Sequence, residues 1–234
     1  MKILGIDSTA KSASVAVTED GKILSSFYIN TGLTHSQTLM PMLDSALKCA
    51  SLTVDDIDVI AVNKGPGSFT GVRIGVAAVK GIADTKRIKT VGISTLESMA
   101  YNLILTDCIA VPVMDARCSQ VYAALFRVKD SSVERLTEDK AIPIIELKAL
   151  LAEYHENIIL VGDGADVCYK ALSNEVEGIR IASEADKYQN AVGVCFAAER
   201  KTPEDFIESK ELCPEYLRLP QAERELKNKL KKGE

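Results

Sequence analysis

The sequence lacks the residue clusters on which most metal and redox sites depend. It has only two histidines, His35 and His155, and its six cysteines are scattered so that no C-x-x-C pair occurs. Zinc ribbons and thioredoxin-like redox sites need such pairs. His155 begins a HENII segment that starts like a zincin motif but has no second histidine. We therefore expect no metal site, and we expect most cysteines to be small buried side chains.

An excess of basic charge is also missing. The chain has 28 Lys and Arg residues against 33 Asp and Glu residues, a formal net charge of −5. Because nucleic acid is held through a basic face, we expect no direct nucleic-acid binding by this chain alone. The one Lys-rich stretch covers residues 223–234. A solvated helix face is its default interpretation, and a contact with RNA or a partner stays open.

No apolar run approaches the roughly 20 residues that a membrane span requires. The first nine residues, MKILGIDST, form too short an apolar stretch for a signal peptide. We therefore expect a cytoplasmic protein with no membrane contact. Apolar residues make up 47% of the chain and charged residues 26%, which is ordinary for a soluble globular protein. The length suffices for two compact domains.

The same order of predicted elements occurs twice. Each half opens with an apolar run that ends in an aspartate, Asp7 in the first half and Asp115 in the second. An alternating strand, a third strand, a helix and a buried strand with a glycine turn follow in both halves. These elements cover residues 12–18, 23–29, 34–48 and 57–65 in the first half, and 119–128, 133–137, 144–154 and 158–164 in the second.

This duplication predicts two homologous α/β halves with mixed sheets around a central cleft. We place the boundary near residue 105. The N-terminal half then covers residues 1–105, and the C-terminal half, with the Lys-rich stretch, covers residues 106–234.

The densest motif is GPGSFTGVRIG, at residues 65–75. It is not a Walker A loop, a dinucleotide fingerprint or a nucleophile elbow, because its glycines have the wrong spacing and Pro66 replaces a required glycine. It predicts a tight turn that opens a helix over residues 69–85. Gly71, Gly75 and Ala78 leave a bare stripe on that helix. Either the protein's own sheet or a helix of a partner could pack there.

The helix predicted over residues 34–48 offers a second part of such a surface. Thr34 and Gln37 have the spacing of a capping box, and apolar side chains recur at helical intervals. We hypothesise that a partner packs on Leu39, Leu43, Leu47, Gly71, Gly75 and Ala78. Without that partner, the same patch is expected to pair two copies of the chain as a homodimer.

Asp7 and Asp115 each follow an apolar strand and precede a polar turn. Paired carboxylates across a cleft suit a magnesium–phosphate site, and Gly162 and Gly164 would then approach the nucleotide. The alternative is that each aspartate accepts hydrogen bonds from its own turn. The cleft interpretation leads to a rival function, a small ATP-dependent kinase or ATPase, although no catalytic base is evident.

Five segments together resemble the TsaB (YeaZ) family: GIDST, HSQTLMPML, VNKGPGSFTGVRIG, VMDARCSQVY and PEYLRLPQAE. They extend over nearly the whole chain. The resemblance implies the ASKHA fold (actin, sugar kinase, Hsp70), built from ribonuclease H-like halves. It also implies a scaffold subunit that pairs with the catalytic paralogue TsaD and works with the small ATPase TsaE. Their product is threonylcarbamoyladenosine beside the anticodon of tRNAs that read codons starting with A.

The resemblance also implies that this chain is not itself the enzyme. TsaD holds a metal through an H-x-x-x-H motif, and Thr95 and Met99 occupy the two ligand positions here. A hydroxyl and a thioether do not replace two imidazoles for such a metal. We therefore expect no catalytic residue and no cofactor, with weak nucleotide binding left open, and only indirect contact with tRNA.

Overall fold

The first half of the chain forms a five-stranded mixed sheet. The computed structural model describes residues 1–218, so the Lys-rich stretch lies outside the described residues. The strands are β1 (Lys2–Asp7), β2 (Ala13–Glu19), β3 (Lys22–Ile29), β4 (Val59–Gly65) and β5 (Lys89–Ser94), in the spatial order β3-β2-β1-β4-β5. The first three are antiparallel, and β4 and β5 continue the sheet in parallel with β1.

The first half has three helices. They are α1 (His35–Cys49), α2 (Phe69–Lys86) and α3 (Thr95–Ala100), with short 3-10 turns at Val54–Asp56 and Tyr101–Leu103. α1 and α2 pack on the same face of the sheet and agree with the predicted helices to within one residue. Among the described helices, none is both long enough and apolar enough to cross a lipid bilayer.

The second half repeats the arrangement. Its elements are β6 (Cys108–Asp115), β7 (Gln120–Ala123), β8 (Phe126–Lys129), β9 (Ser132–Arg135), β10 (Lys140–Pro143), α4 (Ile144–Leu151), β11 (Ile158–Val161), α5 (Ala165–Leu172), β12 (Ile179–Ile181) and α6 (Ala191–Glu199). The spatial order β10-β7-β6-β11-β12 matches that of the first sheet, with two antiparallel pairs followed by two parallel ones. The predicted duplication is therefore confirmed.

The strand predicted over residues 119–128 is interrupted. β7 and β8 pair with β6 in one common antiparallel register, and the gap between them, at Ala124 and Leu125, lies opposite Val111 and Pro112. Proline has no N–H to donate to a neighbouring strand, so the ladder breaks there. The third strand is likewise in two pieces, with β9 beside β8 and β10 beside β7.

The predicted division at residue 105 separates the strands of the two sheets, but some residues after it pack on the first sheet. α6 packs on the first sheet, where its Ala191 N–H donates to Ser14 Oγ at 2.8 Å and Cys195 lies against Ile3 and Ala16. Leu212 belongs to the core that α1 and α2 form. α6 is apolar almost all round, so it must be buried on every side. α6 and Leu212, which the predicted boundary assigns to the second half, therefore pack with the first half.

Three leucines of the predicted partner surface lie in the protein's own core. Leu39, Leu43 and Leu47 are 1%, 4% and 5% exposed and face the first sheet. Burying such a side chain contributes about 1.5–3 kcal/mol. These residues hold α1 on the sheet and are not available to a partner.

The two glycines of that predicted surface are also internal. Ser8, in the turn between β1 and β2, donates from its hydroxyl to the Gly71 carbonyl oxygen at 2.9 Å. A Cβ at Gly71 would overlap the Ser8 carbonyl oxygen, and one at Gly75 would lie 2.5 Å from Ser8 Oγ. The glycine stripe therefore packs within the chain, and only Ala78 of the six predicted residues reaches the surface in part.

Two glycine substitutions in α2 test this packing. Gly71→Ala should destabilise the protein by about 1–3 kcal/mol, because the added Cβ meets backbone that cannot move aside. Gly81→Ala, on the exposed side of the same helix with nothing near its Cβ position, should stabilise it by about 0.5–1 kcal/mol. Urea unfolding of both variants measures the difference. Equal effects at the two positions would contradict the assigned packing.

Candidate functional site

A cavity of about 570 Å³ lies between the two halves. It follows the carboxyl ends of the central strands, where α/β folds place their ligands. The first half contributes Thr9, Ala10, Lys11, Gly67, Ser68, Phe69 and Thr70, and the second contributes Met114, Asp115, Ala116, Arg117, Tyr122 and Asp163. The duplicated halves thus enclose a cleft of the kind that the sequence predicts.

Asp7 does not line this cavity. It is fully buried, and its Oδ1 accepts hydrogen bonds from the Thr9 N–H at 3.1 Å, the Thr9 hydroxyl at 2.7 Å and Asn63 Nδ2 at 3.1 Å. Its Oδ2 has no partner within residues 1–218. Burial raises the pKa of Asp7 and outweighs the hydrogen bonds, which lower it. The prediction that Asp7 faces the cleft is wrong, because the side chain is fully buried and Thr9 and Asn63 hold its Oδ1 inside the protein.

Asp115, the counterpart of Asp7 in the second half, is exposed at the cavity wall. Its Oδ1 accepts the Arg117 N–H at 2.7 Å. Asp163 faces the same cavity from the turn after β11. Protein atoms crowd around the Asp163 carboxyl while one edge stays open to solvent, and desolvation is the main cause that raises its pKa. The sequence analysis placed the turn of Gly162 and Gly164 near the nucleotide but gave Asp163, which lies between them, no role of its own.

Gly162 and Gly164 serve the packing of that turn. Their N–H groups donate to the carbonyl oxygens of Lys187 at 2.6 Å and Val113 at 3.1 Å. A Cβ at Gly162, where φ is +113°, would overlap the Val113 oxygen. Both amides are used inside the protein, so these glycines do not offer donors to a nucleotide. Of the four residues predicted for that cleft, only Asp115 lines it.

Thr95 and Met99 are both fully buried in α3. Met99 belongs to an apolar cluster with Leu96, Ala110 and Phe126. Across residues 1–218, no three His, Cys, Asp or Glu side chains lie close enough together to share a metal ion. The segment that carries the predicted ligand positions is therefore part of the core between the halves.

The histidines have structural positions. His35, at the start of α1, places Nε2 2.7 Å from the Ala10 carbonyl oxygen, so it ties the helix to the turn between β1 and β2. His155 is exposed on the loop before β11. The cysteines divide evenly, so the expectation that most are buried was wrong: the exposed ones are Cys49, Cys118 and Cys213.

A second concavity lies on the outer surface of the first half, where α1 and α2 meet. It measures about 480 Å³ and is lined by Met40, Val54, Ala77, Ala78, Gly81, Ile82, Thr85 and Lys86. We name these residues the α1–α2 groove. Met40 is 47% exposed in spite of its apolar side chain. Sequence reasoning missed the groove because it followed the glycine stripe at Gly71 and Gly75, whereas the outward row of α2 contains Ala77 and Gly81.

Comparisons with known proteins agree with this architecture. A family model described as TsaD, tRNA N6-adenosine threonylcarbamoyltransferase, matches residues 30–226. The tRNA threonylcarbamoyladenosine biosynthesis protein TsaB of Bacillus subtilis (strain 168) is 29% identical over 95% of this chain and 96% of its own length. The chain belongs to the TsaB/YeaZ branch of the TsaD family.

Solved structures show how far the fold extends beyond the family. YeaZ from Pseudomonas aeruginosa superposes with a TM-score of 0.76 at 22% identity, over 92% of this chain and 100% of that one. The ROK hexokinase from Thermus thermophilus superposes with a TM-score of 0.51 at 11% identity, over 85% and 99% of the two chains. The predicted ASKHA fold is confirmed for this member of the TsaB/YeaZ family.

The buried Asp7 makes stability depend on pH in a defined direction. Because its pKa is raised in the folded state, the wild type should lose stability as pH rises from about 4 towards the folded pKa, by up to about 1.4 kcal/mol per pH unit. Asp7→Asn removes this dependence. Urea unfolding at pH 5 and pH 8 measures this. The free energy of unfolding of Asp7→Asn, relative to that of the wild type, should be higher at pH 8 than at pH 5.

Asp56→Asn is the control for this experiment. Hydrogen bonds from Thr53 lower the pKa of Asp56, so its carboxylate is ionised in both folded and unfolded chains above pH 5. The difference between this variant and the wild type should stay constant from pH 5 to pH 8. A constant difference for Asp7→Asn as well would refute the assigned burial.

Proposed function

We propose that this chain acts in tRNA threonylcarbamoyladenosine biosynthesis as a non-catalytic subunit that pairs with a TsaD-like paralogue. The α1–α2 groove is the observation that carries the proposal. A TsaE-like ATPase joins the pair, and tRNA reaches the chain only through the assembled complex. The modified base lies beside the anticodon of tRNAs that read codons starting with A.

The groove has the composition of a helix-packing surface. Ala77, Ala78 and Gly81 present little side chain, so the backbone of a partner helix can approach α2 closely. Met40 adds an exposed, flexible apolar side chain, a residue type that is common at binding surfaces. Such a surface favours an apolar helical partner over a charged one.

The choice of a TsaD-like paralogue follows from the family model. The model for TsaD matches residues 30–226, which include both helices of the groove. A paralogue of the same fold presents an equivalent helix pair. Two such pairs can stack about a pseudo-two-fold axis, in the way that self-complementary interfaces form in dimers. The same geometry permits a homodimer of this chain when the paralogue is absent.

The non-catalytic role rests on the inner residues. Thr95 and Met99 are buried in place of a histidine pair, and Asp7 is turned away from the cavity. The rival kinase interpretation relies on Asp7 and Asp115 from the two halves, whereas the carboxylates that line the cavity, Asp115 and Asp163, both belong to the second half. Weak nucleotide binding in this cavity stays a prediction.

Ala77→Arg tests the pairing surface. The added guanidinium projects into the α1–α2 groove from an exposed position, so the monomer should fold normally while affinity for the paralogue falls at least about tenfold. Titration calorimetry with the purified TsaD-like protein measures affinity, and tRNA modification by the reconstituted complex should fall in parallel. Ala171→Arg, an exposed alanine on α5, is the matched control. Equal affinities for the two variants would remove the groove from the interface.

The rival kinase function is tested with ATP and magnesium. We expect no hydrolysis and no phosphoryl transfer by the isolated chain, because Asp7 cannot reach a bound phosphate. Calorimetry and a coupled phosphate assay measure binding and turnover. Micromolar binding with turnover that is lost in Asp115→Asn would favour the kinase instead.

A further inference from the structure

The last described residues run along α2 from its C-terminal end to its N-terminal end. We name residues 209–218 the C-terminal strap. Ser209 Oγ donates to Asp84 Oδ1 at 3.3 Å, and Lys80 Nζ donates to the carbonyl oxygens of Lys210 and Leu212 at 3.1 Å each. These contacts lay the first part of the strap on the helix.

Tyr216 fixes the strap to the first turns of α2. Its ring stacks on Phe69 with the ring centroids 4.6 Å apart and the planes 20° from parallel. Arg73 Nε donates to the Tyr216 hydroxyl at 2.7 Å, and its guanidinium carbon lies 5.4 Å from the centre of the tyrosine ring. Tyr216 therefore has an aromatic, a hydrogen-bonding and a cation–π contact to one helix.

The next two residues cross to the second half. Leu217 packs against the apolar cluster that contains Met114 and Tyr122. Arg218 Nη1 donates to the Ala116 carbonyl oxygen at 2.6 Å. Both Phe69 and Ala116 line the cavity between the halves. The strap thus bridges the mouth of the cleft within three residues.

The glycine-rich motif accounts for the other side of this contact. The Glu215 N–H donates to the Lys64 carbonyl oxygen at 2.7 Å, and a Cβ at Gly65, where φ is +127°, would overlap the Glu215 carbonyl oxygen. Gly65, Phe69 and Arg73 all belong to GPGSFTGVRIG. The PEYLR segment, residues 214–218, therefore packs against this motif.

We propose that the C-terminal strap is an intramolecular lock that holds the two halves at one angle and so sets the opening of the cleft. Two-lobed proteins open and close about a hinge. A contact that forms with both halves in one arrangement only shifts the population to that arrangement. The strap does here what a ligand bound between the halves does in a protein that closes on its substrate. This lock goes beyond the proposed pairing function and does not depend on it.

Distances between spin labels on the two halves test the lock. Cys49 on α1 is exposed and takes one label, and Ala149→Cys, at an exposed position of α4, takes the other, in a background with Cys118→Ser and Cys213→Ser. Burial raises the pKa of the Cys108 thiol to about 11 and those of Cys168 and Cys195 to about 12, so these thiols react poorly with the label.

We expect one narrow distance distribution in this background by double electron–electron resonance. Tyr216→Ala should broaden or shift it, and amide exchange over residues 215–218 should become about tenfold faster or more. Arg73→Ala should have the same effect. The double variant of Tyr216→Ala and Arg73→Ala should change the distance distribution little more than either single variant, because both changes break the same contact. Tyr169→Ala on α5 is the control, since Tyr169 and Tyr216 are both 39% exposed.

Two results would overturn the lock. One is a broad distribution in the background protein, which would mean that the halves move with the strap intact. The other is a distribution for Tyr216→Ala that coincides with those of the background and of Tyr169→Ala. Circular dichroism of each variant establishes that its fold is retained.

Discussion

The close approach of α2 to the turn between β1 and β2 is the contact on which the other features depend. The Ser68 N–H donates to the Thr9 carbonyl oxygen at 2.7 Å, and a Cβ at Gly67 would lie 2.5 Å from that oxygen. Gly71 meets Ser8 in the same way. Only glycine allows this distance. Thr9, in the same turn, donates to Asp7 Oδ1 from its N–H and from its hydroxyl, so the turn that α2 contacts also holds the buried carboxylate.

The same contact fixes the rotation of α2 about its own axis. One row, with Val72, Val76 and Val79, then faces the sheet and is buried. Phe69 and Arg73, near the start of the helix, contact the C-terminal strap. Ala77 and Gly81 continue the same i, i+4 row and lie on the outer surface. The strap and the α1–α2 groove therefore both lie on the part of α2 that faces away from the sheet.

Local sequence patterns predicted the duplication, the order of elements along each half and the bounds of α1 and α2, because periodicity and turn residues act over short distances. Local patterns do not predict whether an apolar row of a helix packs against the chain's own core or against a partner. Leu39 and Gly71 were placed on a partner surface, whereas they face the chain's own core. Likewise, Asp7 and Asp115 have similar sequence surroundings, but Asp7 is buried and Asp115 is exposed. Asp7 accepts a hydrogen bond from Asn63, a residue far away in the sequence. Nor does any local pattern in PEYLR predict that this segment packs on a helix some 140 residues earlier in the chain.

The two acidic turns show how duplication has led to unequal halves. Asp7 accepts from Asn63 Nδ2, which also donates to Ser98 Oγ at 2.9 Å, so this carboxylate connects β1, β4 and α3 within the core. The turn after Asp115 takes left-handed backbone at Arg117, Cys118 and Ser119 and leaves its carboxylate at the cavity wall. One acidic turn thus connects three elements of the core, whereas its counterpart leaves a carboxylate at the cavity. The two halves keep the same order of strands, and the difference between them lies in what surrounds these two turns.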